Sequence, residues 1–137
     1  MVGIRVFRAV DDADACKKYI EGHRRILEIH GVVKITSYRH DWVDDPHTMV
    51  ILVEELETGK VFGGARLQLR RSGIPLPIEL ALEKYDPKIL TMVQDAERNG
   101  GTCELCGLWN SMEVAGMGIG SYILSRIGAA ISSQLPV

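Results

Sequence analysis

Between residues 102 and 135 the apolar spacing changes from period two to a helical period across a run of closely set glycines. Residues 102–112 (TCELCGLWNSM) read as a strand. Ala115-Gly116-Met117-Gly118-Ile119-Gly120-Ser121 follows as a loop. Residues 119–135 then read as a helix, with Ile119, Ile123, Ile127 and Ile131 along one stripe and Pro136 as its stop. A strand that turns through glycines straight into a helix commits the chain to helices packed on a sheet. The glycines let backbone N–H groups come close to an anion. The following helix brings its positive end to the same place. The loop therefore reads as a phosphate or pyrophosphate cradle, or as a tight turn that demands small residues. It is no Walker loop, because no Gly-Lys-Ser/Thr follows, and the Gly-x-Gly-x-Gly spacing is not the Rossmann fingerprint.

The rest of the chain supplies the sheet. Residues 4–10 (IRVFRAV) alternate and read as a strand. Asp11 and Asp12 are N-cap residues for an amphipathic helix over 14–30, which Gly31 closes. Residues 32–47 are irregular. Residues 48–56 (TMVILVEEL) and 61–70 (VFGGARLQLR) form a hairpin around Glu57-Thr58-Gly59-Lys60, where Gly59 takes the positive φ. A short helix over 78–85 follows. Asp86-Pro87 opens a further helix that Gly100-Gly101 ends. The order β-α-β-β-(α)-β-α predicts an α/β (α+β) fold, with a mixed central sheet flanked by helices.

Composition narrows the function. The 137 residues (1–137) make one domain. With 16 basic against 18 acidic residues the net charge is −2, which argues against a broad nucleic-acid footprint and a polybasic membrane anchor. No apolar run is long enough to span a bilayer, and residues 1–10 lack the form of a signal peptide. The odd cysteine count (Cys16, Cys103, Cys106) fits a reducing, cytoplasmic setting.

The stretch Leu108-Trp109-Asn110 … Ala115-Gly116-Met117-Gly118-Ile119-Gly120-Ser121-Tyr122-Ile123-Leu124 resembles motif A of the GNAT acyltransferase superfamily. The hairpin at Gly63-Gly64-Ala65-Arg66-Leu67 is similar to that family's second and third strands, and the element order matches from residue 4 to residue 135. The resemblance implies transfer of an acyl group from acetyl-CoA, acyl-CoA or an acyl-carrier-protein thioester to a small-molecule amine. It implies that backbone groups of Trp109 and Asn110 hold the pantetheine arm. It also implies that the amides of Gly116, Met117, Gly118, Ile119, Gly120 and Ser121 hold the pyrophosphate. Ala115 stands where the family prefers Arg or Gln, so one charge-assisted contact is missing. Asp41-x-x-Asp44-Asp45, Gly64-Ala65-Arg66-Leu67 and Glu104 are similar to the acyl-homoserine-lactone synthases and the related N-acyl amino acid synthases, although Cys106-Gly107 replaces their Ser-Arg. GNAT domains normally continue past this helix. The resemblance therefore implies a fold lacking the usual C-terminal strands, with the insert at 78–99 or a homodimer completing it. A catalytically silent module that binds acyl-CoA or mediates assembly is the alternative. A nucleotide-phosphate binder of unrelated α/β fold is a third.

Transfer to an amine needs a base. The resemblance makes Glu104 the candidate, because it precedes Leu108-Trp109-Asn110 by the same offset as the general-base glutamate of the superfamily's histone-acetylating branch and matches the Glu of the lactone-synthase branch. A carboxylate desolvated on a central strand would also gain basicity; its other reading is a salt-bridged strand end. Arg66 shares a strand face with Gly64 and Gln68 and is the candidate substrate contact, or a structural ion pair. By the same alternation Cys106 shares a face with Glu104 and Leu108. Cys103-x-x-Cys106 points to opposite faces and reads as packing rather than a zinc half-site, and no metal is expected. Glu113 reads as a surface residue. His40, Asp41, Asp44, Asp45 and His47 form a polar cluster that reads as a solvated loop, or as a site for a metal or an amine substrate. His23 and His30 fall among the core positions of the first helix, and Trp42 and Trp109 are core or pocket-lining aromatics.

Overall fold

The computed structural model describes residues 1–32 and 40–135, and of Ser121 the backbone alone. Part of the stretch expected to be irregular, residues 33–39, lies outside the described residues. Four strands form the sheet in the order β1 (Val2–Arg8), β2 (Thr48–Glu55), β3 (Val61–Leu69) and β4 (Cys103–Asn110). Every pairing is antiparallel. The sheet is thus not mixed. The helix after β1 leads to β1's own antiparallel neighbour rather than across to a parallel strand, and connections alone decide that polarity.

Helix α1 (Ala13–Ile29) begins where the Asp12 side chain accepts the Ala15 N–H at 2.9 Å. It covers one face of the sheet. Ala15, Cys16 and Tyr19 pack there with Val50, Leu52, Trp42 and Trp109. The close fit depends on glycines: a Cβ on Gly22 would stand 2.1 Å from the Trp109 ring, and one on Gly64 would stand 2.7 Å from Tyr19. The other face carries Ile51, Val53, Ala65 and Leu67, covered by Val114, Ile119 and Leu124. Strand β2 is buried on both faces, which explains its nearly unbroken apolar run.

Between β3 and β4 the chain forms α2 (Pro77–Leu82) and α3 (Lys88–Arg98). The Glu79 carboxylate accepts the Leu76 N–H at 2.6 Å and pairs with Arg70 at 3.0 Å, both side chains being buried. That pair fastens α2 to the end of β3. The last helix differs from the sequence expectation. Residues Ile119–Leu124 are a π-helical turn and Ser125–Ser132 are α4, so the helix ends before Leu135. Among the described residues no helix is long and apolar enough to cross a membrane.

Candidate active site

Strand β4 carries the site because its pleat is broken. Gly107 has φ +58, and the β3–β4 register shifts between Gly64 and Arg66. A glycine inside a strand marks such a bulge. The Tyr19 hydroxyl donates to the Gly107 carbonyl and pins the bulge to α1. Burial pushes the Tyr19 phenol up, so it keeps its proton and remains a donor. The bulge also corrects simple alternation. Glu104 and Cys106 lie opposite Gln68 and Arg66, but Trp109, opposite Gly64, takes their face. Leu108 instead turns toward Gly120, whose hypothetical Cβ would meet it at 2.8 Å.

Glu104 is half-buried, and its Oε2 accepts the Ile78 N–H at 2.9 Å. Desolvation raises its carboxyl above the ordinary carboxylate range, and Glu79 adds to that. The Ile78 hydrogen bond and the Arg66 charge oppose it. Arg66 is 1% exposed, and its guanidinium lies 4.6 Å from the Trp42 ring centre. Its Nη2 donates to Cys106 Sγ at 3.6 Å, and Cys106 in turn donates to Gln68 Oε1 at 3.6 Å. Burial pushes the Cys106 thiol up to about 11.

Two hollows meet at Pro77. One, of about 470 Å³, has Arg66, Gln68, Trp42 and Arg71 among its walls, with Asp41, Asp44 and Asp45 on the loop side. The other, of about 380 Å³, lies between Pro77, Ile78, Ala81 and Leu82 of α2 and Glu104, Cys106 and Gly107 of β4. Sequence reasoning missed the role of Tyr19 and the α2 wall. The one local signal among them was the glycine at 107.

At the far end of β4 stands the glycine loop. Gly116 and Gly118 both have φ +80, and a Cβ on Gly116 would project into open space with nothing within 4 Å. The first helical N–H that bonds back is that of Tyr122, to the Gly118 carbonyl at 2.9 Å. Ahead of it the Met117 N–H is already engaged, donating to the Val114 carbonyl at 3.1 Å. Gly116 and Met117 are exposed, while Ile119 and Gly120 are buried against the sheet. Asn110 Nδ2 donates to the Ser111 carbonyl at 3.4 Å, and the Trp109 side chain is buried in the α1 core. Glu113 pairs with Lys60 at 2.8 Å and ties the loop to the hairpin.

Asp45 accepts the His47 N–H and the Thr48 hydroxyl, each at 2.9 Å, and pairs with Arg71. Cys103 packs on the α4 face and Cys106 faces Arg66. Among the described residues no group of His, Cys, Asp and Glu could hold a metal ion.

No family model matches the chain, and no curated protein matches it in sequence. Among solved structures it is similar to a predicted acetyltransferase with acetyl-CoA from Clostridium acetobutylicum, at 12% identity and a TM-score of 0.56, over 98% of this chain and 75% of that one. It is also similar to glucosamine-6-phosphate N-acetyltransferase from Arabidopsis thaliana, at 12% identity and a TM-score of 0.49, over 98% of this chain and 76% of that one. A GCN5-related N-acetyltransferase from Ralstonia eutropha JMP134 matches at 13% identity and a TM-score of 0.48, over 98% of this chain and 78% of that one. At such identity the first likeness establishes the fold, which is α+β and GNAT-like.

Proposed function

We propose that this chain is an N-acyltransferase that moves an acyl group from acetyl-CoA or a longer acyl thioester to an amine. The observation that carries the proposal is the joining of two features on one strand. At one end β4 has a desolvated carboxylate beside a bulge, and at the other it runs into a glycine loop with open space above Gly116 at the start of a helix. The Clostridium acetobutylicum neighbour, a predicted acetyltransferase with acetyl-CoA, supports the donor. The open space above Gly116 suits a phosphate at backbone distance, so amides between Gly116 and Ser121 would hold the pyrophosphate, except that of Met117, which already donates to the Val114 carbonyl at 3.1 Å. Among the described residues β4 pairs with β3 alone. The Ser111 N–H donates to the Phe62 carbonyl, so by alternation Trp109 turns its backbone groups toward β3 and Asn110 turns its own to the other edge. Of the two residues expected there, Asn110 would hold the pantetheine arm. The bound thioester supplies a carbonyl open to attack.

The chain's own residues then divide the work. Glu104 takes the proton of the attacking amine, directly or through water. As the C–N bond forms the C–S bond of the thioester would break, and the thiolate would leave and take up a proton from water to give the free thiol. Arg66, a buried permanent cation in the wall of the larger hollow, orients an acceptor that bears an acidic group. Cys106 stays a thiol at neutral pH, so the amine attacks directly and no acyl-cysteine forms. The apolar faces of Ile78, Ala81 and Leu82 favour an acyl chain longer than acetyl. Together with Gly64-Ala65-Arg66-Leu67 and Glu104 they support the acyl-homoserine-lactone synthase branch as the finer form of the proposal. A carrier-protein arm with its single phosphate would miss a charged side chain at Ala115 less than coenzyme A would.

Isothermal titration with acetyl-CoA, a long-chain acyl-CoA and an acyl-carrier protein tests the donor site; binding of none of them sinks the proposal. Glu104→Gln should cut kcat by about 10²–10⁴-fold with little change in thioester affinity. In the unsubstituted enzyme kcat/KM should rise with pH through a value above the ordinary carboxylate range. Thioester binding with no transfer to a broad panel of amines would favour the silent-module alternative, to which Ala115 in place of the family's Arg or Gln gives weight.

A further inference from the structure

The edge of the sheet farthest from the candidate site is unguarded. Natural edge strands block further pairing with prolines, lysines, bulges or short length. Strand β1 has none of these: its pairing with β2 runs unbroken from Val2 to Arg8. Its one central charge, Arg5, is turned inward to Glu54 at 2.9 Å and Asp12 at 2.6 Å. The opposite edge of the sheet differs, because β4 is bulged at Gly107 and α2 lies against it through the bond from Ile78 to Glu104. Val2, Ile4 and Val6 are 58%, 47% and 38% exposed. They share the face of Ile51 and Val53, because Val6 pairs with Ile51 and Ile4 with Val53.

The backbone of the same residues is open. Leu56 N–H donates to the Met1 carbonyl at 2.9 Å, so Met1 turns its backbone groups toward β2. By alternation Gly3, Arg5 and Phe7 do likewise, and Val2, Ile4 and Val6 turn their N–H and C=O groups outward. Among the described residues nothing pairs with them.

We infer that β1 pairs antiparallel with β1 of a second copy of this chain, with Ile4 opposite Ile4, joining two sheets into one. The sequence of the strand is self-complementary about that residue, as a two-fold interface requires. Val2 then faces Val6 of the second copy, and Gly3 faces Arg5, whose guanidinium stays on Glu54 and Asp12 of its own chain. The neighbouring register, centred on Arg5, would set two arginines opposite each other in a close, non-hydrogen-bonded pair, which is unfavourable. This symmetry selects a second copy over an unrelated strand. Both β4 edges remain open, so the inference stands apart from the acyl-transfer proposal.

Sedimentation of the full chain across a concentration series should show a monomer–dimer equilibrium. Ile4→Lys puts two ammonium groups opposite each other at a site already half exposed. It should raise the dimer dissociation constant at least about tenfold while leaving the circular dichroism spectrum unchanged. Ile4→Cys gives a second readout. Under mild oxidation it should form a covalent dimer, because hydrogen-bonded partners bring Cα atoms to about 5.5 Å, within disulfide reach. Val6→Cys should not, because its partner is Val2. A chain that stays monomeric at every concentration overturns the inference. So does a dimer that Ile4→Lys leaves intact, or cross-linking through Val6→Cys as fast as through Ile4→Cys.

Discussion

At Gly107 two demands coincide. Its φ of +58 strains any other residue, and a Cβ there would stand 2.2 Å from the Tyr19 hydroxyl and 3.1 Å from Arg66 Nε. The bulge, the tyrosine and the arginine are therefore one unit. Tyr19→Phe removes the donor and leaves the Gly107 carbonyl unsatisfied in a mostly buried place, which costs about 1–3 kcal/mol. Packing loss alone is small, since the ring stays. If Tyr19 positions β4 for the thioester, the same variant should also weaken acyl-CoA binding in calorimetry. A melting temperature that falls with unchanged thioester affinity would reduce Tyr19 to a structural role. The sequence held half of this unit. Alternation put Arg66 with Gln68 on one strand and Glu104 with Cys106 on the other, and the pairing of β3 with β4 brings the two sets onto one face. It misplaced Leu108, because period two cannot show where a strand skips a residue.

Among elements, the contact of α1 with β4 has the least tolerance. The Trp109 ring lies on Gly22, where a Cβ would meet ring carbons at 2.1 and 2.3 Å. Gly22→Ala would normally favour a helix. Here the ring must move, and urea denaturation should show a loss of about 1–3 kcal/mol, the range for overpacked cores. A stabilised Gly22→Ala would show that the indole sits elsewhere. Helix α1 and the β2–β3 hairpin were legible because local chemistry fixes them: Asp12 caps the one, and Gly59 turns the other with φ +69. The π-helical start of the last helix was not legible, because its apolar stripe reads as helix whichever backbone bond it uses. Nor was the α2 wall of the site. The buried Arg70–Glu79 pair and the Ile78–Glu104 bond place it, and both join residues that sequence spacing does not relate.

For the molecule as a whole, acid should act in two stages. His23 is 7% exposed in the α1 core, and desolvation, with Arg66 and His40, pushes its imidazole from 6.5 down to about 4. The folded chain thus keeps His23 neutral where the unfolded chain protonates it. Between pH 6.5 and about 4 the unfolded state binds more protons, so stability falls as pH falls, and below that range His23 causes no further loss. The shift sets an upper limit of about 3 kcal/mol for this stage, and with some solvent reaching the ring about 1–2 kcal/mol is expected. The second stage belongs to Asp11, Asp12, Glu21 and Glu57. Hydrogen bonds hold each of them below its ordinary value, so their contribution is lost only as pH falls through those lowered values. Urea denaturation at pH 7.5 and pH 5, at one fixed protein concentration so that pairing of copies does not intrude, isolates the first stage. The unsubstituted chain should lose stability between the two, and His23→Gln, whatever its starting stability, should lose much less. Equal losses in both proteins would mean that His23 is protonated in the folded state and that the α1 core admits a charge beside Arg66.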